Sequence, residues 1–253
     1  MSETKPYGII VAVVIGISVF ASMSVLSGAI VRSKDTEMIR VTGSARKPIR
    51  SDFIIWRGKV SFRAATVAAA YQSVREGTKT VTDYLRKRGV PQAEILSQAI
   101  QTKTLYVQVK RTNDGAPSDD GSETYRKIEG YELTQAIEVR SSNVDLVDKI
   151  SREVTDLIAN GVPFESEPPQ YLYTKISEVK VEILAEAAKD ARRRAEEIAK
   201  SSGAELGSVR FARMSPLQIS PIYSSEVAAD GQNDTTSLDK AITAIISMGF
   251  SVR

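Results

Sequence analysis

The sequence predicts an α+β domain: a mainly antiparallel sheet with helices packed on one face, preceded by one transmembrane helix. Three observations carry this prediction. Residues 6–31 contain no charge, several short apolar segments alternate with period two, and three longer segments repeat their apolar residues every three or four positions. Composition then narrows the chemistry. At 253 residues the chain holds one or two domains with a real core. Its 34 basic and 31 acidic residues leave a net charge of only +3, no footprint for nucleic acid, so no such partner is expected. Cysteine and histidine are both absent. That removes structural disulfides, thiolate nucleophiles, imidazole acid–base catalysis and the usual zinc sites. Carboxylates, lysine, tyrosine and serine remain.

The run PYGIIVAVVIGISVFASMSVLSGAIV lies between Lys5 and Arg32. At about 1.5 Å per helical residue it spans a hydrocarbon layer of about 30 Å. A cleaved signal has a shorter apolar core, about 7–15 residues, and the small residues here are scattered, so an uncleaved anchor is favoured. Lys5 precedes the run while Arg32, Lys34 and Arg40 follow it, so the charge rule is nearly balanced. Most of the mass follows the span. The expected arrangement is therefore a single-pass inner-membrane protein, its N-terminus cytoplasmic and its C-terminal domain periplasmic or extracytoplasmic. Residues 1–37 are anchor and linker, and residues 38–253 the folded domain.

Met38 to Gly43 opens a strand, Gly43 and Pro48 break it, and Phe53 to Phe62 resumes it with Ile54, Trp56, Val60 and Phe62 on one face. This reads as one long bent strand or two collinear ones. From Thr66 to Arg88 the period becomes helical, with Val67, Tyr71, Val74, Thr78, Val81 and Leu85 on one side, ended by Gly89 and Pro91. Two strands follow, over Leu105–Lys110 and Tyr131–Arg140, joined by a loop rich in Gly, Pro, Asp and Ser. Ser142 or Asn143 caps a second helix carrying Val147, Ile150, Val154, Leu157 and Ile158, closed at Asn160–Gly161. A short strand at Gln170–Tyr173 precedes a third helix, Ile176–Ser202. Its stripe is Leu184, Ala188, Ala191, Ala195 and Ala199, and Gly203 ends it. Val209–Met214 is a strand, Ser215–Ser237 a long loop, and Ala241–Val252 a last strand with Ile242, Ala244, Ile246, Met248, Phe250 and Val252 on one face. The predicted order is β-α-β-β-α-β-α-β-β.

Four of these features occur together: Val41-Thr42-Gly43-Ser44-Ala45, Asp52-Phe53-Ile54-Ile55-Trp56, Gly130-Tyr131-Glu132, and the Ala-rich helix running into Gly203-x-x-Leu206-Gly207. In that order and spacing they resemble the SIMPL-domain family of exported or membrane-anchored bacterial proteins, over roughly Ile39 to Arg253. Many members have adjacent Pro and Asp before the first long strand. Here Ile49-Arg50-Ser51 separates Pro48 from Asp52. The resemblance implies an α+β domain, ring-like or channel-like homo-oligomers at the cell envelope in some members, and a link to oxidative or envelope stress. It implies no catalytic residues.

Candidate sites are few. Asp114, Asp119, Asp120 and Glu123 offer oxygen ligands but lack the order of a calcium loop, so no metal is expected. Lys189 and Arg192-Arg193-Arg194 are followed by Glu196 and Glu197, the pattern of a solvated helix face. Trp56, Tyr171 and Tyr173 are the aromatic candidates for contact with a ligand or a second subunit. No G-x-S-x-G, S-x-x-K, P-loop or G-x-G-x-x-G pattern supplies a nucleophile or a cofactor cradle. The expected function is a non-enzymatic, cofactor-free, self-associating envelope protein. The alternatives are a module binding a small molecule or envelope polymer, and a hydrolase using carboxylates alone.

Overall fold

The computed structural model describes residues 38–110, 124–224 and 230–253; residues 6–31 and the acidic cluster Asp114, Asp119, Asp120 and Glu123 lie outside them. Among the described residues no helix is long and apolar enough to cross a membrane. The strands are β1 (Met38–Arg50), β2 (Phe53–Ala64), β3 (Ile95–Ser97), β4 (Gln101–Lys110), β5 (Thr124–Ser141), β6 (Phe164–Ser166), β7 (Gln170–Leu172), β8 (Leu206–Met214), β9 (Gln218–Pro221) and β10 (Asp239–Val252). The helices are α1 (Val67–Lys87), α2 (Val144–Glu153) and α3 (Ile176–Ser201). The α+β class and the antiparallel pairing agree with the sequence, but the predicted single sheet is two. One has the order β1-β10-β8 with β9 added to β10; the other has the order β3-β5-β2-β6, with β4 on β5 and β7 on β2.

The two runs read as one bent strand thus belong to different sheets. Between them the Ser51 N–H donates to Leu238 O and the Asp52 N–H to Leu172 O. Apolar alternation reports which side of a strand is buried, not which strand it pairs with, so it could not separate them. Three other strands escaped the sequence reading. β3 and β6 have three residues each, too few for a period. β9 lies inside the predicted loop, with Gln218, Ile219 and Ser220 all buried.

The described chain divides into two compact units: residues up to Arg46 with Val181–Leu217 and Thr243–Arg253, and Lys47–Lys180 with Gln218–Ile242. In the larger unit β2 is central, pairing in register with β5 from Ile54↔Ser141 to Ala64↔Tyr131. Ile54, Trp56 and Val60 of β2 and Ile137 and Val139 of β5 form one core with Val81 and Leu85 of α1 and Val144, Val147 and Ile150 of α2. Both helices therefore cover the same face. On the other face cross-strand partners match in charge or hydroxyl: Arg57 with Glu138 (2.5 Å), Arg63 with Glu132 (2.7 Å), and Ser61 with Thr134 (2.7 Å).

The helix ends are capped, at Asn143, Gly89, Gly161 and Gly203 by the residues predicted for it and at Thr66 by one that was not. Thr66 and Asn143 cap α1 and α2 through side chains accepting from Ala69 N and Leu146 N. Gly89, Gly161 and Gly203 all have positive φ. At Gly203 the amide donates to Lys200 O and that of Ala204 to Ala199 O, the paired bonds of a Schellman stop. Two predicted faces need correction at their ends. Val67 and Tyr71 of α1 are exposed while Ala70 and Gly77 are buried, and Ile158 is exposed because α2 gives way at Val154 to a 3-10 segment, Val154–Asn160, whose tighter winding rotates it outward.

In the smaller unit α3 packs on β1 and β10 through Ala191, Ala195, Val41, Met248 and Phe250. The buried line is Ile183, Ala187, Ala191, Ala195 and Ala199; the predicted Leu184 and Ala188 sit half-buried beside it. A strict four-residue step advances about 40° per step around a 3.6-residue helix, so the line follows a twisted sheet instead of a straight stripe. Gly43 allows this approach. A Cβ there would lie 2.6 Å from Ala191 Cβ and closer still to the helix backbone at Ala187 and Ala191.

Candidate interaction surfaces and buried polar groups

The three aromatic candidates are not brought together as one accessible site. Trp56 has no exposed surface. Its Nε1–H donates to Ser166 Oγ at 3.1 Å, Ser166 Oγ donates to Ser151 O at 2.8 Å, and the indole lies tilted against Phe164 with centroids 5.9 Å apart. Alternation on β2 points it into the core between the helices, which explains its burial. Tyr171 is half-buried and its hydroxyl donates to Asp148 Oδ1 at 2.6 Å. Burial, then that bond to a carboxylate, pushes its pKa up to about 12. Tyr173 lies one residue past the end of β7, so the alternation expected to align it with Tyr171 stops before reaching it.

Next to Tyr171 is a group the sequence reading passed over. Lys240 is 1% exposed. Its Nζ donates to Tyr171 O at 2.6 Å and to Asp234 O. Desolvation pushes its pKa down, opposed by the charge of Asp234. The Tyr171 N–H donates to Thr235 O at 2.8 Å, so the ammonium and a backbone bond together tie β7 to the segment before β10. A signal existed: Lys240 is in phase with Ile242, Ala244 and Ile246, the predicted buried face. Glu138 is the second buried charge, 2% exposed, held between Arg57 and Arg140. Burial pushes its carboxyl up, but the two guanidinium hydrogen bonds outweigh that and hold it below the usual range. Both buried charges have partners: Lys240 donates to two carbonyls and Glu138 accepts from two guanidinium groups.

The arginine cluster on α3 lies on an exposed helix face, with each of the three arginines also ion-paired. Asp190 accepts from Arg193 and Arg194 at 2.8 Å each and from the Ser44 N–H at 3.0 Å; Arg192 pairs with Glu196 at 2.8 Å. The Ser44 bond, then the two arginines, hold the Asp190 carboxyl below its usual range. A broad open hollow of about 640 Å³ runs beside it, lined by Val41, Thr42, Arg193, Arg194, Glu197 and Ile198. Among the described residues no group of three acidic side chains is placed to hold a metal ion.

The most exposed apolar surface is a ribbon. β2 ends opposite Tyr131, so residues 124–130 of β5 pair only with β4, from Leu105↔Gly130 to Lys110↔Thr124 with a bulge at Leu105/Tyr106. Gly130 marks the exit: a Cβ there would stand 2.7 Å from Ala64 O. Tyr106 faces Ile128 on one side of the ribbon, and Val109 faces Tyr125 on the other. Tyr106 is 56% exposed, Val107 39%, Tyr125 51% and Ile128 51%. The outer edge of β4 pairs with no described strand. A two-stranded ribbon is marginal in water by itself, and an open edge next to exposed aromatic and β-branched side chains invites pairing.

The model of the SIMPL family, described as a protein of unknown function (DUF541), matches residues 39–249. No curated protein matches the sequence.

Proposed function

We propose that this chain, which belongs to the SIMPL family, is a non-enzymatic cell-envelope protein, anchored in the inner membrane by residues 6–31 and self-associating through the β4–β5 ribbon. The ribbon is the observation that carries the reading. Four large apolar side chains stand exposed on its two faces, beyond the point where β2 stops pairing with β5, and a second copy would cover them. Edge pairing between ribbons would convert two marginal two-stranded elements into one wider sheet. The anchor rests on the uncharged run, and the non-enzymatic reading on the sequence, which offers no nucleophile beside a base and no histidine or cysteine to supply one. The exported side is the folded domain, and a role in envelope or oxidative stress follows from the family resemblance.

Light scattering of the detergent-solubilised full chain tests the self-association. The wild type is expected to run as an oligomer, and Tyr106→Ser combined with Ile128→Ser to shift it towards monomer while the circular dichroism spectrum stays unchanged. A wild type that is monomeric at micromolar concentration overturns this part of the reading.

A further inference from the structure

The face of the β1-β10-β8 sheet turned away from α3 has a composition of its own. Register and contacts define it. Ser247 pairs with Arg213 and Gly249 with Phe211, Thr42 Oγ1 lies 3.4 Å from Ser247 Oγ, and the Arg40 guanidinium stands 5.7 Å from the centroid of the Phe211 ring. The Phe211 ring rests on Gly249, where a Cβ would come within 2.6 Å of it. Arg40, Thr42, Phe211 and Arg213 are all exposed. Residues 38–50, 206–214 and 243–252 contain no aspartate or glutamate. Asp190 and Glu196, which pair with Arg192, Arg193 and Arg194, belong to α3 on the opposite side of the sheet. Among the described residues neither Arg40 nor Arg213 has a carboxylate partner, whereas the arginines on the outer face of the larger sheet, Arg57 and Arg63, are each matched across strands.

We propose that this face binds an anionic polysaccharide. Guanidinium groups take carboxylates through paired N–H donors, the Thr42 and Ser247 hydroxyls both donate and accept and so match sugar hydroxyls, and the partly exposed Phe211 ring offers an apolar platform to a sugar ring. A bare phosphate chain would use the arginines alone. The hydroxyls and the ring between them single out a sugar chain. The site is independent of the β4–β5 ribbon and of self-association.

The test is calorimetric titration of the full chain in detergent with three probes: polygalacturonate, neutral dextran, and polyphosphate of matched charge. Polygalacturonate is expected to bind and dextran not to. Arg40→Gln with Arg213→Gln is expected to weaken polygalacturonate by about tenfold or more, the size of one charge-assisted contact. Phe211→Ala, at unchanged net charge, is expected to weaken it several-fold. Arg126→Gln with Lys127→Gln, which removes two cations from the ribbon, is expected to leave it within about twofold. Thermal melts matching the wild type exclude misfolding of the variants, and Phe211→Leu, which keeps an apolar side chain on Gly249, serves where Phe211→Ala melts early. Absence of polygalacturonate binding overturns the proposal, as does equal loss in the ribbon variant. Polyphosphate binding as tight as polygalacturonate, with no effect of the Phe211 variants, overturns the sugar-chain assignment.

Discussion

Gly43 and Gly203 are glycines for opposite reasons. At Gly43 the backbone is extended and the constraint is space, since any side chain meets the backbone of α3 (Ile176–Ser201). At Gly203 there is nothing within 4 Å and the constraint is its φ of +74°. Gly43→Ala is therefore expected to lower the unfolding free energy by about 3 kcal/mol, the upper end of overpacking costs, and Gly203→Ala by about 1 kcal/mol. Urea denaturation of both variants measures this, and equal costs would contradict the close approach. Lys240 offers a second case. Lys240→Met keeps most of the side-chain volume but strips the donor from the carbonyls of Tyr171 and Asp234, with an expected loss of about 2 kcal/mol. The Val-Thr-Gly-Ser-Ala motif was legible as a signature but not as a contact, because the residues it meets, Ala187 and Ala191, are distant in sequence. Lys240 was legible from its phase, yet a lysine in an apolar run is read first as a strand end.

Among the elements, β2 (Phe53–Ala64) and β5 (Thr124–Ser141) show how alternation assigns both faces of a strand. One face buries Trp56 and Val139, and the other pairs Arg57 with Glu138. That pairing sets a pH dependence. The folded pKa of Glu138 lies below its unfolded value. Its contribution to stability is complete above the ordinary glutamate range near about 4.3 and is lost as pH falls through the lowered value. The prediction is that Glu138→Gln loses stability relative to wild type at pH 7 and converges on it in acid; a difference that persists unchanged at pH 2.5 would show the pair to be electrostatically idle. α1 (Val67–Lys87) and α3 were recovered within a residue at each end, since their caps, Thr66, Gly89 and Gly203, are local. β3 (Ile95–Ser97), β6 (Phe164–Ser166) and β9 (Gln218–Pro221) were not. Their conformation is imposed by neighbouring strands, a tertiary effect with no local pattern to betray it.

For the whole molecule, class and family are legible in the sequence, and the division into two sheets is not. The sites were less legible than the fold. Trp56 looked like a ligand platform because aromatic residues are useful in both places, and only three-dimensional packing distinguishes a core indole from an exposed one. The apolar residues of the ribbon between β4 (Gln101–Lys110) and β5 were visible, but their exposure depends on where β2 stops. The proposed anchor is testable only on the full chain. Deleting residues 6–31 is expected to move the protein from the membrane pellet to the soluble fraction of lysed cells, and recovery of the truncated chain in the pellet after a carbonate wash would argue against a single N-terminal anchor.

The pairing of β1 (Met38–Arg50) with β10 (Asp239–Val252) constrains the order in which the chain can fold as it is made. Thr42 and Ser247 meet although they are 205 positions apart in sequence, and the unit that contains them also draws α3 and β8 (Leu206–Met214) from between. A chain emerging N-terminus first presents β1 long before its partner exists. The larger unit, whose main segment is the continuous stretch Lys47–Lys180, can assemble its core while β1 still waits. The smaller unit closes only once the stretch around Ser247 is available, so its assembly is the later of the two.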